Sequence, residues 1–228
     1  MLYFNQIASK RDYNSILLDG VNDYFSCNVD TLNTTSPFSF FTRIEITDRS
    51  ESTAVSTLTA SGRTGFYFFT GLNVFGFPAD HIVFTVYAGN YRGGISTFLP
   101  LNTPVNLHLV SDGGGADISN FKIYVDGVEA SVIRNGFIPS VTLPSLISSR
   151  TFTDSSSLGR YFTGKIYNQS LVNYTKTLLE IESDNNNNKQ SLDLLKGNYM
   201  YNIEFDKPPS TTTFQTEESN PKTVTIYR

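Results

Sequence analysis

The side chains able to do acid, base or nucleophilic chemistry are few and poorly grouped. Two carboxylates that hydrolyse a glycosidic bond with retention must stand about 5–5.5 Å apart. On a strand that requires positions on one face. In Glu45-Ile46-Thr47-Asp48-Arg49-Ser50-Glu51, Glu45 and Thr47 share a face and Asp48 takes the other, so neighbouring carboxylates do not pair. Glu180-Ile181-Glu182-Ser183-Asp184 falls on a helical pattern and its following loop, not on a sheet. His81 and His108 each lie within a strand pattern, where a hydrogen-bonded structural histidine is expected. Ser61-Gly62 lacks the strand-to-helix elbow of a hydrolase nucleophile. The single cysteine, Cys27, sits in an apolar strand pattern and is expected in the core. Alone, it excludes an intrachain disulfide and a cysteine-built zinc site. Recognition suits the residue types better. A tyrosine ring stacks on the apolar face of a sugar while its hydroxyl stays wet. Tyr87, Asn90, Tyr91, Arg92, Arg160 and Tyr161 lie near loop boundaries and are the candidate glycan contacts. Such residues also suit protein interfaces. The sequons at Asn33, Asn168 and Asn173 are what chance places in a chain so rich in Asn and Thr.

These residues must be held by something mostly β. The chain has 228 residues, of which 39% are hydrophobic and 17% charged, with a formal net charge of −4. That length holds one large all-β domain or two small ones. The weakly charged, mildly acidic balance argues against nucleic acid, whose phosphates call for clustered Lys and Arg. No apolar run reaches the 18 residues of a membrane-spanning helix, so no membrane insertion is expected. The opening MLYFNQIASKRDYN has neither the basic nor the apolar region of a secretion signal.

Short β-branched and aromatic runs recur at intervals of roughly 10 residues, split by Gly, Asn, Asp and Pro. In Val105–Ser111, Val105, Leu107 and Leu109 oppose Asn106, His108 and Val110; in Phe121–Val125, Phe121, Ile123 and Val125 oppose Lys122 and Tyr124. Asp126-Gly127 is predicted to close a two-residue type I′ hairpin. Helical spacing of Leu171, Tyr174, Leu178 and Ile181 predicts one or two turns. A second short helix is predicted over Ser191–Lys196, with Gly197 behind it. Between them Ser183-Asp184-Asn185-Asn186-Asn187-Asn188 reads as an exposed loop. Residues 1–184 are read as the domain and 185–228 as a C-terminal extension. That extension holds the Asn-rich loop, a strand at Tyr199–Phe205, a Pro/Thr-rich segment and a final strand. It either folds back on its own domain or lies along a neighbouring subunit.

Four stretches in order resemble one family. Leu17-Leu18-Asp19-Gly20-Val21-Asn22-Asp23-Tyr24 is similar to the opening strand and turn of laminin G-like domains, a branch of the concanavalin A-like jelly rolls. Phe38–Ile46 (FSFFTRIEI) resembles the first strand of the family's core sheet. Val105–Val110 followed by Lys122-Ile123-Tyr124-Val125-Asp126-Gly127 resembles its paired strands ending in YVDG. Leu158-Gly159-Arg160 with Phe162-Thr163-Gly164-Lys165-Ile166-Tyr167-Asn168 resembles its closing strand, and Leu171–Ile181 the short helix after it. The chain departs from the family in having no Trp. The resemblance implies an all-β fold: a two-sheet antiparallel jelly-roll sandwich with one or two short helices and a C-terminal extension.

It also implies a calcium site at the sandwich rim, for which Asp112 and Asp117 in Asp112-Gly113-Gly114-Gly115-Ala116-Asp117 are the candidate ligands; no other cofactor is expected. Domains of this kind usually work outside cells, yet this sequence shows no export signal or disulfide. A bacteriophage structural protein fits that mismatch: a head fibre, capsid decoration or tail receptor-binding part, non-enzymatic, assembled in a host cytoplasm. Its expected partners are other virion proteins or copies of itself through residues 185–228, and a cell-surface glycan. The alternatives are an extracellular carbohydrate-binding module and a divergent glycan hydrolase.

Overall fold

A computed structural model describes residues 15–21, 23–49, 53–56, 64–70, 76–88, 91–114, 117–138, 140, 142, 146–148, 150–151, 160–187, 199–204, 213–215 and 223–227. The chain opens with β1 (Ile16–Asp19), β2 (Tyr24–Asn28), β3 (Phe38–Ile46), β4 (Thr53–Ser56), β5 (Thr64–Thr70) and β6 (His81–Ala88). It continues through β7 (Tyr91–Phe98), β8 (Val105–Ser111), β9 (Phe121–Val125), β10 (Val128–Glu129), β11 (Ile133–Gly136) and β12 (Leu146–Ser148). Next come β13 (Arg150–Thr151), β14 (Arg160–Tyr161), β15 (Thr163–Val172) and the helix α1 (Leu178–Asn187). Strands β16 (Tyr199–Glu204), β17 (Thr213–Gln215) and β18 (Thr223–Tyr227) follow.

Two antiparallel sheets form the jelly-roll sandwich that the resemblance implies. The first has seven strands ordered β1-β15-β3-β8-β9-β10, with β16 also paired to β15. The second has nine, ordered β11-β7-β6-β5-β4-β12-β2-β18-β17, and β13 and β14 pair beside it. Between the sheets lie Leu18, Phe25, Cys27, Phe38, Phe40, Ile44, Phe66, Phe68, Ile82, Phe84, Val86, Ile95, Leu107, Leu109, Phe121, Ile123 and Ile166. Phe40 stacks on Phe68 and Phe84 on Phe121, at ring-centroid distances of 5.1 and 5.7 Å. Strands β1, β2, β6 and β9 supply every second residue to this layer, which is why the period-two pattern survives in the sequence.

Backbone demands explain three local signals. Asp126 and Gly127 both have positive φ, +49° and +81°, the pair a type I′ turn requires, and Val128 returns opposite Val125. A Cβ on Gly164 would stand 2.1 Å from the Glu45 carbonyl oxygen, so only glycine lets β15 lie against β3 here. After β1, Asp19 Oδ1 accepts from Val21 N at 2.8 Å and steers the turn through Gly20, whose φ is +78°.

Three expectations need correction. Leu171 is in β15, and the helix starts later, at Leu178. Thr177 and Glu180 form a capping box there: Thr177 N donates to Glu180 Oε2 at 2.8 Å and Thr177 Oγ1 closes against Glu180 N. The Asn-rich stretch expected as an exposed loop continues this helix to Asn187, with Asp184 buried. The 184/185 boundary therefore falls inside α1. Of the segment set apart from residue 185, β16 pairs with β15 and β18 with β2, so its strands complete the two sheets of their own chain. Ser191–Lys196 lies outside the described residues.

Helix α1 covers the outer face of the first sheet in an unusual way. Ile181 is its one buried apolar side chain among the described residues, packed on Val110 and Tyr124. Leu178 and Leu179, by contrast, are 53% and 71% exposed. The buried remainder is ionic: Asp184 Oδ2 accepts from Lys176 Nζ and lies 3.2 Å from His108 Nε2, all three side chains being sealed from water. The segment before the helix is tied to the sheet as well. Ser39 Oγ donates to Tyr174 O and accepts from Lys176 N, both at 2.9 Å, and Thr175 Oγ1 donates to Ser111 O at 2.9 Å.

Candidate functional site on the outer face of the second sheet

Residues paired across antiparallel strands share a face. Because Ile82, Phe84, Val86 and Ile95 point into the core, the pairs His81–Phe98, Val83–Ser96 and Thr85–Gly94 belong to the outer face of the second sheet. Phe98 presents 53% of its surface to solvent there. The Arg49 guanidinium lies 5.3 Å from the centre of its ring, and Arg49 Nη2 is fixed by donating to Leu99 O. His81, half-buried, pairs with Phe98 across the strands, and its Nδ1 lies 3.0 Å from the buried Ser96 hydroxyl. Ile133, opposite Ser96, adds a further exposed apolar side chain. An accessible ring beside a guanidinium and an imidazole can stack on an apolar ligand face and donate hydrogen bonds at its rim.

The middle of the face is covered. Val83, Thr85 and Ser96 are buried although they point away from the core. Gly76 lies against this surface, since a Cβ on it would stand 3.1 Å from Asn135 Nδ2, and Asn135 pairs with Gly94. Gly76 thus sits over the face at this level, with Phe77 next to it and buried. Access is left at the end holding Phe98.

The residues expected to contact a glycan fall into two groups. Tyr87 is half-buried near the β6–β7 turn and pairs with Arg92, while Tyr91 pairs with Ala88. Asn90 lies outside the described residues. Arg160 and Tyr161 form β14, alongside β13 and β4, and lead into Thr163, whose carbonyl accepts from Thr47 N at 3.2 Å. That places them at the end of the sandwich opposite the β6–β7 turn. They share an end with Phe98 but flank β4, three strands from β7 and so about 14 Å away at about 4.8 Å per strand. No single patch gathers the five that lie among the described residues. Phe98, Arg49 and His81 were missed because strand pairing, not sequence proximity, brings them together. The available signal was the outward parity of His81 and Phe98 in strands whose alternate residues are aliphatic or aromatic.

The rim loop expected to hold calcium uses its carboxylates internally. Asp117 Oδ1 accepts from Ser119 N at 2.8 Å, which caps the 3-10 turn Ile118–Asn120; the Ser119 side chain, then this backbone bond, holds the exposed carboxyl below the usual range. Asp112 Oδ1 accepts from Gly114 N at 3.4 Å. Calcium takes 6–8 oxygens, and among the described residues no group of three or more His, Cys, Asp or Glu is placed to hold a metal. On that donor set the described residues do not fit a calcium site.

Glu45, the carboxylate nearest a hydrolase pattern, is engaged on the outer face of the first sheet. Both its oxygens accept from Lys165 Nζ at 3.1 Å, and Oε2 accepts from the Tyr167 hydroxyl at 2.9 Å. Burial, then the bond to Glu45, pushes the Tyr167 phenol up to about 12. Arg43 covers the Tyr167 ring at 5.3 Å.

No protein-family model matches this chain, and no curated protein matches it in sequence. Solved structures do share its architecture. One is a protein described as carbohydrate-binding from Bacteroides ovatus, with TM-score 0.59 and 14% identity over 92% of this chain and 58% of that one. Another is the heptameric SAP-like pentraxin of Limulus polyphemus, with TM-score 0.53 and 11% identity over 78% of this chain and 84% of that one. This chain thus spans little more than half of the Bacteroides protein. At such identities the likeness establishes the jelly-roll fold.

Proposed function

We propose that this protein is a glycan-binding domain that works by adhesion and not by catalysis. The observation that carries the reading is Phe98: a large ring held open to solvent on the outer face of the second sheet, with the Arg49 guanidinium over it and His81 paired with it across the strands. Such a ring gives a pyranose an apolar platform with two hydrogen-bonding neighbours. The description of the Bacteroides protein as carbohydrate-binding supports the same reading. So does the engagement of Glu45 with Lys165 and Tyr167, which leaves that carboxylate bound to its own neighbours.

Display on a virion, suggested by the resemblance, is part of the proposal as one setting for such adhesion. It was to be carried by residues 185–228 reaching a second chain. In this structure strands β16 and β18 pair inside their own, so adhesion stands without it.

A glycan array read with the wild-type chain and with Phe98→Ala tests the proposal. Binding to a defined set of oligosaccharides, lost at least tenfold in the variant, supports it. Absence of any glycan binding by wild type, or equal binding by the variant, overturns the site.

A further inference from the structure

The outer face of the first sheet carries a feature that glycan binding does not use. His108 is completely buried, its ring 4.5 Å from that of Phe41, and its Nε2 faces Asp184 on α1. Its other nitrogen, Nδ1, has no hydrogen-bond partner. With Nε2–H donating to Asp184, Nδ1 is a bare lone pair and the ring is neutral. The one carboxylate in contact with the ring already serves the Lys176 ammonium. A proton on Nδ1 would therefore place a second positive charge beside Lys176, with nothing to accept the new N–H. Besides this cluster, helix α1 is held by one buried apolar side chain, Ile181, and near its end by Asn185, whose Oδ1 accepts from Asn106 Nδ2 at 2.9 Å, while Leu178 and Leu179 face water.

We propose that helix α1 is an acid-released latch: protonation of His108 lifts the helix from the outer face of the first sheet while both sheets stay paired. The connection 173–177 stays fastened through Ser39 and Ser111, so the motion pivots at Thr177. Lifting uncovers Phe41, Val110 and Tyr124.

Charged and titratable groups face His108 from every element packed around it, and they do not all act in one direction. From α1 come Asp184 and Glu180, the latter occupied by Tyr174 and Thr177. From the connection comes Lys176. From β9, opposite His108, comes Tyr124, whose hydroxyl lies 3.3 Å from Glu129 Oε2; Lys122 pairs with that same carboxylate in solvent. From β3 comes the uncharged Phe41, with Arg43 two residues on and bonded to Asn106. Burial holds His108 below its ordinary 6.5, with Lys176 adding to that and Asp184 opposing. The docked state therefore refuses a proton that the released state accepts. Docking is at full strength above pH 6.5 and weakens as pH falls below it toward the lowered value.

Hydrogen exchange on the full chain at pH 7.5, 6.5, 5.5 and 4.5, corrected for intrinsic rates, tests the latch. The expected result is at least a tenfold loss of protection across 178–187 relative to His81–Ala88. Its midpoint should match the titration of the His108 imidazole followed by NMR. His108→Gln should remove the pH dependence. Unchanged relative protection in wild type, a midpoint that differs from the imidazole's, or the same loss in His108→Gln each overturn it.

Discussion

The two outer faces of this sandwich are covered by opposite means. On the first sheet, a helix lies down through charge: Asp184, Lys176 and His108 are buried and two leucines are left in water. On the second, Gly76 lies against Asn135, Val83, Thr85 and Ser96 are buried, and Phe98 stays open to solvent. Buried ion pairs are poor sources of net stability, because desolvation offsets their attraction. Half-exposed rings are likewise weaker sources than buried ones, because they bury less. Each face thus sacrifices some apolar burial at one place, and those places are where we assign behaviour: release on one side, recognition on the other.

Removing one partner from the ionic cluster tests this contrast most severely. Asp184→Ala strands the Lys176 ammonium and should lower unfolding stability by about 3–5 kcal/mol in urea. Combining Lys176→Met with Asp184→Asn should restore most of it, since the amide still accepts from His108 Nε2 and no charge stays buried. A neutral Asp184→Ala would show that the helix does not depend on the cluster. Thr177→Ala, which removes the helix cap, should cost about 1 kcal/mol, seen in the same denaturation curves and as fraying of 178–181. On the opposite face Phe98→Ala should change stability by less than about 0.5 kcal/mol while abolishing ligand binding. A large loss of stability would recast Phe98 as a packing residue.

The weakest effect concerns Tyr167. The folded chain holds its phenolic proton more tightly than an unfolded one, whose tyrosine titrates near 10.0. Its contribution is complete below pH 10 and is lost as pH rises toward about 12. Ultraviolet titration should show tyrosine ionisation extending toward pH 12, and Tyr167→Phe should remove the contribution of one tyrosine from that late part.

The sandwich was readable because its inner layer obeys a period of two and because Gly164, Gly20 and Asp126-Gly127 mark places where backbone geometry permits little else. The helix was misread at both ends for a definite reason. Apolar spacing placed its start at Leu171, whereas Thr177-Leu178-Leu179-Glu180 is a capping-box sequence and outweighs the leucines, two of which end in water. Four asparagines after Asp184 look like a loop by propensity, yet docking of Asp184 and of Asn185, which accepts from Asn106 Nδ2 at 2.9 Å, holds the turn. The site was only half legible. Tyr87 and Tyr161 were chosen for lying near loops, a local property, and lie at opposite ends. Phe98 and Arg49 meet through a fold-wide arrangement that no local window contains.

Cys27 hydrogen-bonds through the backbone ladder with Val224, a partner roughly 200 residues further along the chain, and such distant pairings close slowly. Until β18 arrives, β2 offers a naked edge with Phe25 and Cys27 beside it, the kind of template on which chains join one another. A nascent or clipped form ending before Thr223 is therefore the species to watch for sticking during production, and the last strand acts as the molecule's own chaperone.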